Sequence, residues 1–399
     1  MTALTALLIL IVVMVIGVPI PLSFLASAAY ICFVNGTDHL MLFTYGFRVQ
    51  NTILLLTIPL FVMAGAVIDK GGIGEKLIEG LERFSKGSKV ALGTVTIVAC
   101  AIFGAVSGSA SATTSCIGSI MTPRLKENGY TAGHIGALLA SSGVLGIMIP
   151  PSILMILYAW GTGTSVLACF LATIVPGIIL IILFSLVNAW LVKHEGPESP
   201  EARAALEQML IDAQKKEAEK KLAKAEHEKR KGGTSAIPAV LMPIFLLGGI
   251  YGGVFTTTEG AAFSVLYSLV IGIFYYRKID FPTFRKTLSQ SGETAGTIMV
   301  MLFMVSILSR LYMTENLPDT ILNTLTSISS NRIVLLLMIN LFMIIIGMLM
   351  DDCSGTTLCG PILMPVMGAL GITPVQFAAI LSVNIGMGNV TPPTAPLLY

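Results

Sequence analysis

Two short stretches share an unusual combination of residues, "GIMIPPS" at 146–152 and "GNVTPPT" at 388–394. Each sets a double proline a few residues after a glycine. Glycine reaches backbone geometries closed to other residues, and proline lacks an amide donor and cannot continue a helix. Each break also has a hydroxyl-rich stretch upstream, "SGSASATTS" at 107–115 for the first and "DDCSGTTLCG" at 351–360 for the second. Freed carbonyls and hydroxyls suit a hard cation such as sodium, and the amide ends of interrupted helices attract a carboxylate. Unpaired backbone is costly away from water unless it lines a site.

In the first half the candidate sodium ligands are Ser107 and Ser109, with the backbone near Gly143, Gly146 and Pro150. In the second they are Asp351, Asp352 and Gly355 at the turn, with Gly386, Gly388 and the Thr391 hydroxyl at the break. Only the second turn carries carboxylates, and Thr391 stands where the first half has Ile149, so the second site should depend more on side chains. Ionisable residues within a membrane are costly and usually functional; the alternative places both aspartates in water at the mouth of a hairpin. Serine, threonine and glycine also serve close helix packing, but two matched breaks beside two hydroxyl-rich turns favour a site. Glu259 closes "TTTE" at 256–259, which reads as a helix-starting capping box.

The elements that must position these residues are set by the solvent. Hydrophobic residues make up 54% of the 399 and charged ones 12%, about half the charge of a soluble domain at roughly 25%. Mean hydropathy is +0.85. Runs such as "ALLILIVVMVIGV", "VPGIILIILFSLVNAWLV", "AVLMPIFLLGGIYGGVF" and "IVLLLMINLFMIIIGMLM" recur along the chain, as in an all-α integral membrane protein. The six cysteines (Cys32, Cys100, Cys116, Cys169, Cys353, Cys359) lack metal-ligand spacing and read as small buried residues. Residues 194–236 are rich in Ala, Glu and Lys and read as an exposed cytoplasmic linker; mixed charge without aromatics argues against nucleic acid.

Sliding the second half onto the first by 242 residues superposes Gly118 on Gly360, Pro123 on Pro365, Thr131 on Thr373, Gly146 on Gly388 and both double prolines. The chain is thus read as two membrane repeats, 1–193 and 237–399. In the first, crossings are expected near 3–17, 20–34, 51–69, 134–160 (the broken helix) and 165–193, with an amphipathic segment at 71–88. Residues 89–127 form a re-entrant hairpin turning at Ser107-Gly108-Ser109. Five crossings are odd, so the second repeat is inverted, with an arm at about 315–331, a hairpin at about 332–367 and a broken helix from 374. That layout puts all but Arg48, Arg310 and Arg332 of the 24 Lys and Arg on the linker side, which makes the linker cytoplasmic and the N-terminus periplasmic.

"GIYGGVFTTTEGAAFSVLYSLVIG" at 249–272, "FGAVSGSASATTSCIGSIMTP" at 103–123 and the two double-proline breaks resemble the large membrane subunit of tripartite ATP-independent periplasmic (TRAP) transporters. The resemblance runs from end to end; Thr257 stands where family members often have proline. It implies an elevator-type transporter of the ion transporter superfamily in a bacterial inner membrane, taking up an organic acid such as sialic acid or a C4-dicarboxylate on a sodium gradient. The hairpins and broken helices would move against a scaffold formed by the other helices, with the amphipathic segments as arms. Ser111, Thr114 and Ser152, with Thr356, Asn389 and Thr394, would hold the substrate. The implied partners are a small four-helix membrane subunit, bound one to one, and a periplasmic substrate-binding protein, with membrane lipid around them.

No nucleotide-binding "GxxxxGK[ST]" stretch occurs, and His39, His134, His194 and His227 are scattered, so no catalytic set is expected. An ion-only antiporter of the same superfamily is the alternative, but neither break carries a buried carboxylate or lysine. The second repeat stops at the equivalent of Leu157, which predicts a further C-terminal helix of about 36 residues by comparison with the first repeat.

Overall fold

The structure, a computed structural model, describes residues 2–82, 88–194, 235–392 and 397–398. Most of the charged linker, Pro393 and the candidate Thr394 lie outside the described residues. Helices account for the regular structure among the described residues. Six are long and apolar enough to cross a membrane, or seven if the bent pair around the first double proline is one span.

The first repeat runs α1 (Thr2–Val15), α2 (Ile20–Asn35), α3 (His39–Gln50), a 3-10 turn (Ile53–Leu56), α4 (Thr57–Lys70) and α5 (Ile73–Glu82). Then come α6 (Lys89–Ser107), α7 (Ala110–Glu127), α8 (Ala132–Gly143), α9 (Leu145–Met148), α10 (Ile153–Thr162) and α11 (Val166–His194). The second runs α12 (Ile237–Tyr251), α13 (Thr257–Val270), α14 (Phe281–Thr314), α15 (Leu317–Ile328), α16 (Arg332–Leu349), α17 (Asp352–Ala369) and α18 (Pro374–Gly388).

The 242-residue offset holds at the level of elements: shifted back by it, α17 falls on the bounds of α7, and α16 and α18 begin within one residue of α6 and α8. Matched caps start these helices. Thr131 accepts a hydrogen bond from the His134 amide at the start of α8, and Thr373 forms a capping box with Gln376 at the start of α18. The Thr256–Glu259 capping box expected from "TTTE" opens α13.

The structure corrects one sequence expectation and refines two. The segment 36–50 has no expected element, yet it forms α3, whose Asp38 cap accepts from the Leu40 amide; at 12 residues it is too short to register as a crossing. The 51–69 crossing is present as an apolar span over Ile53–Lys70, in which a 3-10 turn runs on into α4. The arm expected over 71–88 is helical over Ile73–Glu82, and 83–87 lie outside the described residues.

α4 packs against α13 and α14, and α14 also against α2, α3 and α17. α6 and α7 pack together and against α8 and α9, while α16 and α17 pack on α18. α11 was expected in the scaffold, but its neighbours are α6, α8, α9, α10 and α18. A buried polar clasp fixes it there: Asn188 donates to the Val90 carbonyl at 3.1 Å and accepts from the Tyr130 hydroxyl at 3.1 Å. The opposite face of α11 exposes Leu171, Val175, Leu186 and Trp190, an apolar surface suited to hydrocarbon.

Candidate functional site

The arms of the first hairpin, α6 and α7, meet at their open ends, where Lys89 donates to the Gly129 carbonyl at 2.6 Å and Tyr130 to the Lys89 carbonyl at 2.8 Å. At the turn Gly108 takes φ +62°, a left-handed geometry that favours glycine. Ser109 then caps α7, accepting from the Ala112 amide, and its hydroxyl lies 3.2 Å from that of Ser111. The buried hydroxyls of Ser107 and Thr113 are 3.1 Å apart, and Thr113 donates to the Ser109 carbonyl at 2.7 Å.

The first break docks directly on this turn. A methyl group at Gly146 would lie 2.6 Å from the Ser109 carbonyl oxygen and 2.5 Å from the Thr113 hydroxyl, so only a bare backbone fits. The Ile153 amide donates to the Gly108 carbonyl at 3.2 Å. Between the arms, which meet at 45°, Pro150 is buried and Ser152 both donates to the Ile147 carbonyl at 2.6 Å and caps α10. Thr114 donates to the Ala110 carbonyl and its hydroxyl abuts Gly143. The first-half candidates Ser107, Ser109 and Gly146 are therefore neighbours, with Pro150 and Ser152 carrying the break and Gly143 packed on Thr114.

At the second turn Asp351 caps α17, accepting from the Cys353 and Ser354 amides at 3.1 and 3.3 Å and from the Ser354 hydroxyl. Asp352 accepts from the Cys353 amide at 3.0 Å. One donor atom each from Asp351, Asp352 and Cys353 lie within 4.8 Å of one another, close enough to share a cation. Cys353 is therefore not merely a small buried residue; it is half-buried beside both carboxylates.

Of the remaining second-half candidates, Gly355 belongs to this turn, its amide donating to the Asp351 carbonyl at 2.9 Å, and a methyl group on it would lie 3.1 Å from the Ile385 side chain. Gly386 faces Val144 at the first break and Gly388 lies on the Gly347 backbone, so both are close-packing positions of α18. Thr391 donates its hydroxyl to the Met387 carbonyl at 2.7 Å. The Thr356 hydroxyl and the Asn389 side-chain carbonyl are buried with no hydrogen-bond partner among the described residues, a costly condition that a polar ligand would relieve.

Both turns open on one cavity of about 500 Å³. Ser107, Ser109 and Ser111 line it from one hairpin and Asp351, Asp352 and Cys353 from the other, against Asp69 of α4 and Thr294 of α14. A second cavity of about 550 Å³ beside α7 and α8 is lined by Ser111 and Thr114. Sequence reasoning passed over Thr113, although it lies inside the quoted hydroxyl run, and Asp69 and Thr294, which no local pattern marks.

The whole chain resembles known permeases. It is 30% identical over 387 residues to the isethionate TRAP transporter permease protein DctMQ of Oleidesulfovibrio alaskensis, covering 97% of this chain but only 58% of that longer protein. It is 30% identical to the C4-dicarboxylate TRAP transporter large permease protein DctM of Pseudomonas aeruginosa, over 88% of this chain and 78% of the relative. It is also 30% identical to the sialic acid TRAP transporter large permease protein SiaM of Vibrio cholerae, over 86% and 76%. In fold it is similar to the Alcanivorax borkumensis YdaH transporter, with a TM-score of 0.55 at 13% identity, covering 92% of this chain and 80% of that one. These relatives are permeases and not enzymes, and the TRAP transporter family described as its DctM component matches residues 7–399. The chain therefore belongs to the DctM component of the tripartite ATP-independent periplasmic transporters, an integral membrane family.

Proposed function

We propose that the protein carries an organic acid across a bacterial inner membrane as a sodium-coupled secondary transporter. The observation that carries this reading is the convergence of the two hairpin turns on a single cavity of about 500 Å³. That volume suits an organic solute and exceeds what an ion-only antiporter requires. Hydroxyls and carbonyls at the first turn, and Asp351 and Asp352 at the second, supply oxygens of the kind a hard monovalent ion takes.

In this reading α6 to α11 and α16 to α18 move together, carrying the cavity past a frame of α1 to α4 and α12 to α14 in an elevator motion, with α5 and α15 as arms. The mutual packing of α6 to α11, and of α16 and α17 on α18, supports that division, and the Asn188–Tyr130 clasp favours α11 in the moving part. The repeats are inverted, both hairpins are re-entrant, and the linker is cytoplasmic with the N-terminus in the periplasm. A small four-helix membrane subunit completes the frame, and a periplasmic binding protein delivers the solute, a C4-dicarboxylate, a sialic acid or a related acid. Uptake of labelled organic acids into proteoliposomes, with and without a sodium gradient, the small subunit and the binding protein, tests the proposal. Uptake that ignores the sodium gradient would remove the coupling, and no uptake of any organic acid would remove the transport reading.

A further inference from the structure

Ser109 and Asp351 occupy the same position of the two repeats and do the same structural work, each capping the second helix of its hairpin. Their chemistry differs, and both face the same cavity. At the first turn the α7 start has no acidic residue in its opening turn and presents the Ser109 and Ser111 hydroxyls. The positive end of an 18-residue helix thus meets the cavity unneutralised. At the second turn the α17 start faces it with Asp351 and Asp352. Asp69 also lines the space, but it is paired with Lys70 at 2.7 Å. Among the described residues lining the cavity there is no Lys, Arg or His.

We propose that the cavity takes a zwitterionic organic acid, with its carboxylate at the Ser109 end of α7 and its cationic nitrogen at Asp352. This rests on the reading above that the cavity holds an organic acid. A dicarboxylate would set its second negative charge against two aspartates with no cationic side chain to offset them. One sodium ion shared by Asp351 and Asp352 neutralises one charge of the two and still leaves a negative wall. Asp351 is engaged by two amides and the Ser354 hydroxyl, whereas Asp352 accepts from the Cys353 amide and lies beside the Cys353 thiol. Asp352 is therefore the less engaged carboxylate of the two and the one placed to meet a solute's ammonium or amidinium group. A sodium ion bound near Ser107 and Ser109 would reinforce the opposite end.

The test is binding to the purified complex of this chain with its small subunit in detergent, at saturating sodium. The probes are glycine betaine, proline and ectoine on one side, and succinate and isethionate on the other. At least one zwitterion should bind 10-fold or more tightly than both anions, and Asp352→Asn should cut that preference at least 5-fold while the protein stays folded and bound to its small subunit. Succinate or isethionate binding as tightly as every zwitterion overturns the proposal through the unmodified protein alone, whatever the variant does. An unchanged preference in a folded Asp352→Asn protein overturns the role of Asp352. Sodium stabilisation with anion-selective binding leaves the transport reading intact and sinks only the zwitterion, whereas binding of neither class to the complex, with or without the binding protein, counts against both.

Discussion

The Ser152 hydroxyl donates to the Ile147 carbonyl at 2.6 Å and accepts from the Met155 amide, so one buried side chain ties together the two sides of the first double-proline break. Ile147 lies before the prolines and Met155 in the helix after them. Replacing Ser152 by alanine removes both bonds and leaves the Ile147 carbonyl buried without that donor. The expected cost is about 1–3 kcal/mol from the lost cap and the orphaned acceptor. A lowered thermal midpoint in the purified complex checks it, and threonine at the same position should restore most of the loss.

Gly388 and Gly347 meet backbone to backbone, as Gly146 meets Gly104 in the first repeat. Alanine at Gly146 or Gly388 must push two helices apart, an overpacking cost of about 1–3 kcal/mol or more. Both variants should express poorly or unfold at lower temperature, whereas alanine at Gly136, which has open space around it, should leave the midpoint within about 0.5 kcal/mol, the range of ordinary surface changes. Equal behaviour of the three variants would remove the close-crossing argument.

Sodium should stabilise the protein in the absence of any solute. Binding at 100 times the dissociation constant contributes about 2.7 kcal/mol, so the thermal midpoint should climb with sodium chloride and stay flat with choline chloride at equal ionic strength. A midpoint that rises equally in both salts points to screening instead of a site.

Thr391→Val should raise the sodium concentration for half-maximal uptake several-fold while the protein stays folded and partner-bound, and Ile149→Val should change little. The Thr391 hydroxyl spends its proton on the Met387 carbonyl, which leaves its oxygen lone pairs for an ion. Sodium dependence unaltered in the valine variant would restrict the second break to backbone ligands.

Removing the Tyr130 hydroxyl tests whether α11 travels with the first hairpin. In Tyr130→Phe the one phenolic proton that the Lys89 carbonyl and Asn188 Oδ1 share is lost. The expected loss is about 1–2 kcal/mol of stability, with faster hydrogen exchange at the amides of residues 88–93 and 185–194 together. Exchange that speeds up at one segment alone would separate α11 from the hairpin.

Much of this arrangement is legible in the chain because its strongest signals are backbone signals. Glycine, proline and capping residues act locally, so the 242-residue offset, the turn at 107–109, a second turn starting near Asp351 and the Thr256 cap all emerge from short quotations. Side-chain direction is a tertiary property, and there the reading thins. Nothing in "NIGMGNVTPP" tells that Gly386 is spent on Val144 and Gly388 on Gly347, because both depend on where α8 and α16 pass. Asp69 sits beside Lys70 near a helix end and resembles any interfacial ion pair until α4 is laid along the cavity. The helix α3 was missed for a simpler reason: 12 residues with a single arginine and few long apolar runs give neither a span nor a strong amphipathic stripe.

The two repeats handle one stretch of chain in different ways. Residues 281–314 form the unbroken 34-residue helix α14, whereas the matching region of the first repeat is divided into α3, a 3-10 turn and α4. At 1.5 Å per residue α14 is a rod of roughly 51 Å, well beyond the ~30 Å hydrocarbon thickness. Its counterpart carries an elbow at Asn51–Leu56, where the hydrogen-bonding pattern changes. A frame with one stiff post and one hinged post cannot yield equally on both sides. When the bilayer thins or thickens around the protein, the bending will collect at the elbow, and the mechanical compliance of the assembly will reside in six residues of the first repeat.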